Sequence, residues 1–254
     1  MAELAHTSHG AGPCLLLLHA FPFDGRLWQA QLGAFAAAHR VLVPDLRGFG
    51  RSRDLGPPSS MDQMADDVAA LLAALEIPRA TVVGLSMGGY VALSLLARHP
   101  GRVEGLALCD TRASADGPEA RQGRARQLAL LHGGGGVAGL IDQLMPRLVA
   151  PATGDATREK LRQIAQDQAT KSVSGAVVAL RDRADHTETL RACRIPVLGL
   201  VGADDALTPP EETRAMMDLT PRGITAEIPG AGHLSCIENP DGFNRAILGW
   251  LAEG

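Results

Sequence analysis

The sequence predicts an α/β fold: a mostly parallel twisted sheet with helices on both faces, and a helical cap inserted between two of its strands. Three observations carry this. Short apolar runs bounded by Gly, Pro or Asp alternate with longer stretches of helical spacing. A Gly-x-Ser-x-Gly sequence lies between one such run and one such stretch. From about Thr111 to Arg194 no strand pattern occurs, only amphipathic segments near 119–132, 137–149, 157–170 and 173–183.

The strands come in order. Cys14 to Leu18 is apolar at every position, as a strand covered on both faces must be. Val41 to Pro44, Ala80 to Val83, Val103 to Leu108 and Pro196 to Val201 read likewise, whereas Ile224 to Ile228 alternates and suits an edge. Helices are expected over Leu27 to Ala38, Met61 to Leu75, Met87 to Arg98 and Phe243 to Leu251. Ser60 is placed to cap the second of these, with Asp62, Asp66 and Asp67 near its positive end. Pro100-Gly101 stops the third. The expected division is a core of residues 1–110 and 195–254 and a cap of 111–194. At 254 residues the chain is long enough to bury about three quarters of its unfolded surface, so it needs no staples.

Composition excludes several function classes. The formal charge of −4 carries no basic stripe, so no nucleic-acid partner is expected. Aromatic residues make up only 3%, too few for base-stacking platforms or an aromatic sugar groove. Cys14, Cys109, Cys193 and Cys236 show no CxxC spacing and read as buried free thiols, leaving no metal site or disulfide framework. Met1 to Pro13 lacks a basic stretch followed by an apolar one, and no run of 18 apolar residues occurs. The expectation is a cytoplasmic protein with no membrane association.

The chemistry centres on Gly84-Leu85-Ser86-Met87-Gly88, directly after one strand and before a helix. A serine held on so sharp a turn has strained backbone angles and crowded neighbours, which Gly84 and Gly88 relieve by lacking Cβ atoms. Gly89 lets the helix approach the sheet. The helix N-terminus favours a developing oxyanion beside Ser86. Serine is a weak nucleophile without a base in reach. Of eight histidines, His233 in Gly230-Ala231-Gly232-His233 follows the last strand on a flexible loop and is the candidate base. His6, His9, His39, His99, His132 and His186 read as solvated, and His19 as a buried brace for its loop. A carboxylate must orient the imidazole. Asp204 and Asp205, after the strand ending at Val201, compete for that role with Asp110, and Asp205 is preferred. The chain order is then Ser86, Asp205, His233.

Together these residues resemble the α/β-hydrolase fold superfamily over nearly the whole chain. The resemblance includes His19-Ala20-Phe21-Pro22, Asp45 to Ser52, the Ser86 elbow and the Asp205 and His233 loops. It implies that Asp205, fourth in a Gly-x-x-Asp turn, is the acid. It also implies that the backbone N–H groups of Phe21 and Met87 form the oxyanion hole, and that Asp45 and Arg47 brace loops rather than react. Two departures stand out: Ala20 replaces the family's usual Gly, and the N-terminus is short for the family's first strand, so the sheet is expected to begin at its second.

Within the superfamily the chain is similar to small carboxylesterases and 3-oxoadipate enol-lactonase-like hydrolases. That resemblance implies a serine hydrolase of a small-molecule ester or lactone that needs no cofactor. The same triad could instead serve C–C bond hydrolysis, a lyase or a perhydrolase reaction, or stand idle in a small-molecule receptor. A serine nucleophile argues against dehalogenase and epoxide-hydrolase chemistry. A nucleotide-binding fold is disfavoured because no Gly-x-Gly-x-x-Gly follows Leu15 to Leu18. In the cap, Leu140, Ile141, Leu144, Met145 and Leu148 suit either an apolar acyl pocket or packing on the core. Arg121, Arg124 and Arg126 could steer an anion, although solvated surface is the ordinary reading.

Overall fold

The computed structural model describes residues 3–253; residues 1, 2 and 254, the ends of the expected domain division, lie outside them. Its strands are β1 (His6–His9), β2 (Cys14–Leu18), β3 (Arg40–Pro44), β4 (Ala80–Leu85), β5 (Val103–Cys109), β6 (Val197–Gly202) and β7 (Gly223–Ile228). They form one sheet in the order β1-β3-β2-β4-β5-β6-β7, in which β1 runs antiparallel to β3 and every other pair is parallel.

Every residue of β2 and β6 is buried, as continuous apolar runs require. At the edges the pattern loosens. β7 lies at an edge, as its alternation foretold, and exposes Ile224. β1, His-Thr-Ser-His, has neighbours on one side only and carries no apolar run, which is why the sequence hid it. His6 and His9, read as solvated, are therefore half-buried in a strand; His39, His99 and His186 are half-buried as well.

The core helices are α1 (Leu32–Phe35), α2 (Met61–Ala74), α3 (Met87–Arg98), α9 (Pro210–Met217), α10 (Ser235–Glu238) and α11 (Pro240–Glu253), with α4 to α8 lying between β5 and β6. The Ser60 hydroxyl caps α2 by accepting from the Gln63 N–H at 3.0 Å. α2 turns Met64, Val68, Leu71 and Leu72 inward, and α3 is buried from Met87 to Leu96. The helix expected over Leu27 to Ala38 is instead a 3₁₀ turn, Gly25–Trp28, followed by the four-residue α1. Between them Gln31 is buried and donates to the Cys236 carbonyl at 2.8 Å, fixing the chain to the core where a continuous helix would have carried it past.

The stretch between β5 and β6 holds α4 (Pro118–His132), α5 (Gly136–Leu148), α6 (Asp155–Gln166), α7 (Thr170–Arg181) and α8 (Thr187–Ala192). α8, only six residues long, has no periodicity to betray it. α6 and α7 bury clear apolar stripes, but α4 buries only Leu131 fully. No helix among the described residues is long and apolar enough to cross a membrane.

Candidate active site

The parallel strands β2, β4, β5, β6 and β7 deliver their following loops to one edge of the sheet, and every candidate residue arrives on one of those loops. Ser86 joins β4 to α3 at φ 52°, ψ −111°, a left-handed conformation that a side chain adopts only under constraint. Close packing imposes that constraint. A Cβ on Gly84 would lie 2.5 Å from the Gly88 carbonyl oxygen, and one on Gly88 would lie 2.1 Å from that of Leu18. The turn is pinned to β5, since the Ser86 N–H donates to the Cys109 carbonyl at 2.9 Å and the Thr111 hydroxyl donates to the Ser86 carbonyl at 2.9 Å.

His233 Nε2 lies 2.8 Å from Ser86 Oγ, and its Nδ1 lies 2.8 Å from Asp205 Oδ2. Both His233 and Asp205 are 4% exposed, so little water competes for these bonds. The other Asp205 oxygen accepts from the N–H groups of Leu207 and Thr208 at 2.7 and 3.0 Å, while the Thr208 hydroxyl donates to Oδ2 at 2.6 Å. Burial raises Asp205, but the His233 charge and the bonds from His233 and Thr208 outweigh it and hold the carboxyl below the usual carboxylate range. Asp205 is therefore an anion whose lone pairs are all directed. With Asp205 accepting at Nδ1, the imidazole carries its proton there and turns a basic Nε2 toward the serine.

The two rival acids have other places. Asp204 is exposed. Asp110 is fully buried at φ 48°, accepting from the Gly202 N–H at 2.8 Å and sharing a 2.5 Å bond with the Ser235 hydroxyl. Burial, reinforced by the nearby Asp205 charge, pushes Asp110 well above the usual carboxylate range and favours its protonated form. It ties the end of β6 to the histidine loop.

Glu238, which no sequence signal singles out, does more. One carboxylate oxygen accepts from the Gly232 and Leu234 N–H groups at 2.9 and 3.3 Å, bracketing His233. The other accepts from the Ala150 N–H at 2.7 Å and the Thr153 hydroxyl at 2.6 Å, just beyond α5. A single side chain thus fastens the histidine loop to the inserted helices.

Phe21 follows β2 and Met87 opens α3, both buried, and neither N–H donates to a protein acceptor among the described residues. Behind them His19 is fully buried, and burial depresses its basicity. It accepts from the Leu46 N–H at 2.9 Å and donates to the Ala20 carbonyl at 3.1 Å, the bracing the sequence suggested. Asp45 accepts from the Gly25 and Arg51 N–H groups, and Arg47 forks onto Asp67 at 2.6 Å, so both tie loops together. All four cysteines are buried free thiols, and burial raises that of Cys14 to about 11. Among the described residues no group of three or more His, Cys, Asp or Glu is placed to hold a metal.

Above Ser86 opens a cavity of about 510 Å³, of a size for a small molecule. Ser86, His233 and Phe21 line its floor, and Leu144 and Leu148 line it from α5. Leu140, Ile141 and Met145 are buried and absent from the lining, so the apolar face of α5 divides between pocket and packing. The arginines divide too. Arg121 lies outside the cavity; Arg124, half-buried, and Arg126, exposed as the surface reading expects, both reach its wall, and Arg112 and the exposed Arg147 join them.

The sequence profile of a family described as alpha/beta hydrolase fold matches residues 13–240. The chain belongs to that family. A relative from Azorhizobium caulinodans, named as a carbamate hydrolase (RutD), is 31% identical over 99% of this chain and 96% of its own. Among solved structures, a thermophilic esterase from Thermogutta terrifontis shares 38% identity with a TM-score of 0.94, over 98% of this chain and 93% of that one. The enol-lactonase of Burkholderia xenovorans LB400 shares 28% with a TM-score of 0.88, over 98% and 96%. The alpha/beta hydrolase fold assignment thus rests on sequence and architecture together, and the names of these relatives support a hydrolase on that fold.

Proposed function

We propose that this alpha/beta hydrolase cleaves a small carboxylic ester or lactone through an acyl-enzyme on Ser86, with the helices of 111–194 as its cap. The observation that carries the reading is the continuous chain from Asp205 through His233 to Ser86, two contacts of 2.8 Å. Ser86 Oγ bonds the carbonyl carbon while its proton passes to His233 Nε2. The tetrahedral oxygen takes up negative charge, and the N–H groups of Phe21 and Met87 receive it; losing one such donor costs about 2.7–4 kcal/mol of barrier. The carbonyl–oxygen bond to the alcohol then breaks as His233 returns the proton to the leaving oxygen. Water, deprotonated by the same nitrogen, attacks the acyl carbon, and the bond to Ser86 Oγ breaks to release the acid and restore the hydroxyl.

Asp205 holds the imidazole and balances its transient charge. The same steps serve a carbamate carbonyl, the chemistry in the Azorhizobium relative's name, so carbamates belong in the test. The experiment is a panel of p-nitrophenyl esters of increasing acyl length, with lactones and alkyl carbamates alongside. Hydrolysis of short esters or lactones that Ser86→Ala abolishes is the expected result. Turnover of no member, or turnover surviving Ser86→Ala, defeats the reading.

A further inference from the structure

We propose that the substrate carries a carboxylate away from its scissile bond, and that Arg124, Arg126 and Arg147 receive it. The inference rests on the reading of Ser86 as nucleophile and adds the substrate's charge to it.

The cavity wall holds more positive charge than its own acids can match. Asp116, 8% exposed, faces two guanidinium groups, Arg183 Nη1 at 2.5 Å and Arg124 Nε at 3.0 Å, so one anion serves two cations. Arg183, itself 6% exposed, lies 4.2 Å over the ring of Tyr90, which lines the cavity, and its Nε has no hydrogen-bond partner. Glu212 is taken up by Arg112 at 3.1 Å. Glu119 is the remaining carboxylate of the wall, in the first turn of α4, where the helix N-terminus already favours it. The wall itself thus sets four arginines, Arg112, Arg124, Arg126 and Arg147, against three carboxylates.

The surplus has free donors. Among the described residues Arg126 has neither an ion pair nor a hydrogen bond, and Arg147 reaches only the Ala206 carbonyl, at 3.4 Å. Arg124 spends Nε on Asp116 and touches Gln127 at 3.4 Å through Nη1, leaving its Nη2 without a partner. α4 supplies two of these arginines from a helix that buries only one residue fully, so its polar face forms part of the site wall. A neutral ligand would strip water from this surplus and return nothing, whereas a carboxylate offers the planar two-oxygen partner a guanidinium fork matches.

The test compares monoethyl esters of succinic, glutaric and adipic acid with the corresponding ethyl ester monoamides, neutral and nearly isosteric, by pH-stat at pH 8. The expected result is a kcat/KM at least tenfold higher for the acid than for its amide at one chain length. That ratio should fall severalfold in the Arg126→Gln/Arg147→Gln double variant, and also between low and high salt. A ratio near or below one at every length, with the amides hydrolysed and Ser86→Ala inactive, overturns this inference and leaves the serine hydrolase reading standing. If no ester turns over, calorimetry on the intact protein decides with glutarate and glutaramate. Tighter glutarate binding that weakens in the arginine variant supports the carboxylate site, and equal binding removes it.

Discussion

The loops at the sheet edge and the helices of 111–194 face each other across the cavity, and they are specified in different ways. At the sheet edge nearly every placement is forced by backbone geometry. Ser86 holds its strained turn because two neighbours without Cβ atoms let three segments touch, and Asp205 and His233 arrive because parallel strands end together. Across the cavity the wall includes side chains on a polar helix, where Arg124 is held by its charge partner Asp116 and Arg126 by none. Geometry of the first kind leaves marks in a sequence; charge balance of the second kind leaves few.

The contrast is sharpest under substitution. Ser86→Ala should cost at least 10⁴-fold in kcat/KM for a short ester, because no other group can form the acyl bond; a loss below about a hundredfold would break the comparison at its strong end. Asp205→Asn should cost on the order of 10⁴-fold in kcat, since an amide can present the wrong partner to Nδ1 and disfavour the tautomer that leaves Nε2 basic.

Glu238→Gln probes the joint between the two regions. All four of its partners are donors, so a side-chain NH₂ must confront some of them. The expected outcome is a tenfold or larger fall in kcat with a smaller change in KM, because the imidazole loses its bracket while the pocket wall stays. An unchanged kcat in folded protein would show that the two regions act independently.

Asp110→Asn should be mild. A protonated carboxyl and an amide accept and donate alike, whereas Asp110→Ala leaves the Gly202 N–H buried without a partner, at about 1–3 kcal/mol. The pH dependence has a definite sign. The fold favours the protonated carboxyl, so its contribution is whole below the unfolded value of about 3.9 and is lost as pH rises through the raised folded value. Denaturant titration should therefore show wild type losing stability relative to Asp110→Asn as pH increases over that interval. Smallest of all, Arg121→Gln, outside the cavity and largely exposed, should change stability by less than about 0.5 kcal/mol.

Legibility in the sequence follows the same division. Cys14 to Leu18 and Met87 to Arg98 could be read to the residue, because continuous burial and a proline stop are written in composition. The Ser86 elbow and the His233 loop were legible from their place after strands, whereas the preference for Asp205 over Asp204 leaned on the family resemblance. β1 was not, since an edge strand with one partner needs no apolar run, and the segment after Leu27 misled because its spacing is helical while Gln31 is bound elsewhere. Glu238 stands five residues beyond His233 on a short helix, where nothing local distinguishes it from a surface acid. For Arg124 and Arg126 the sequence left anion steering and solvated surface both open, because whether a charged helix face borders a cavity depends on what packs across from it.

The Glu238 bond set also limits how the enzyme can be re-engineered. An insert grafted in place of 111–194 would have to supply an amide and a hydroxyl where Ala150 and Thr153 now stand, or half of that carboxylate would lose its protein partners. Exchanging the insert for a foreign one therefore means redesigning the segment next to His233 as well.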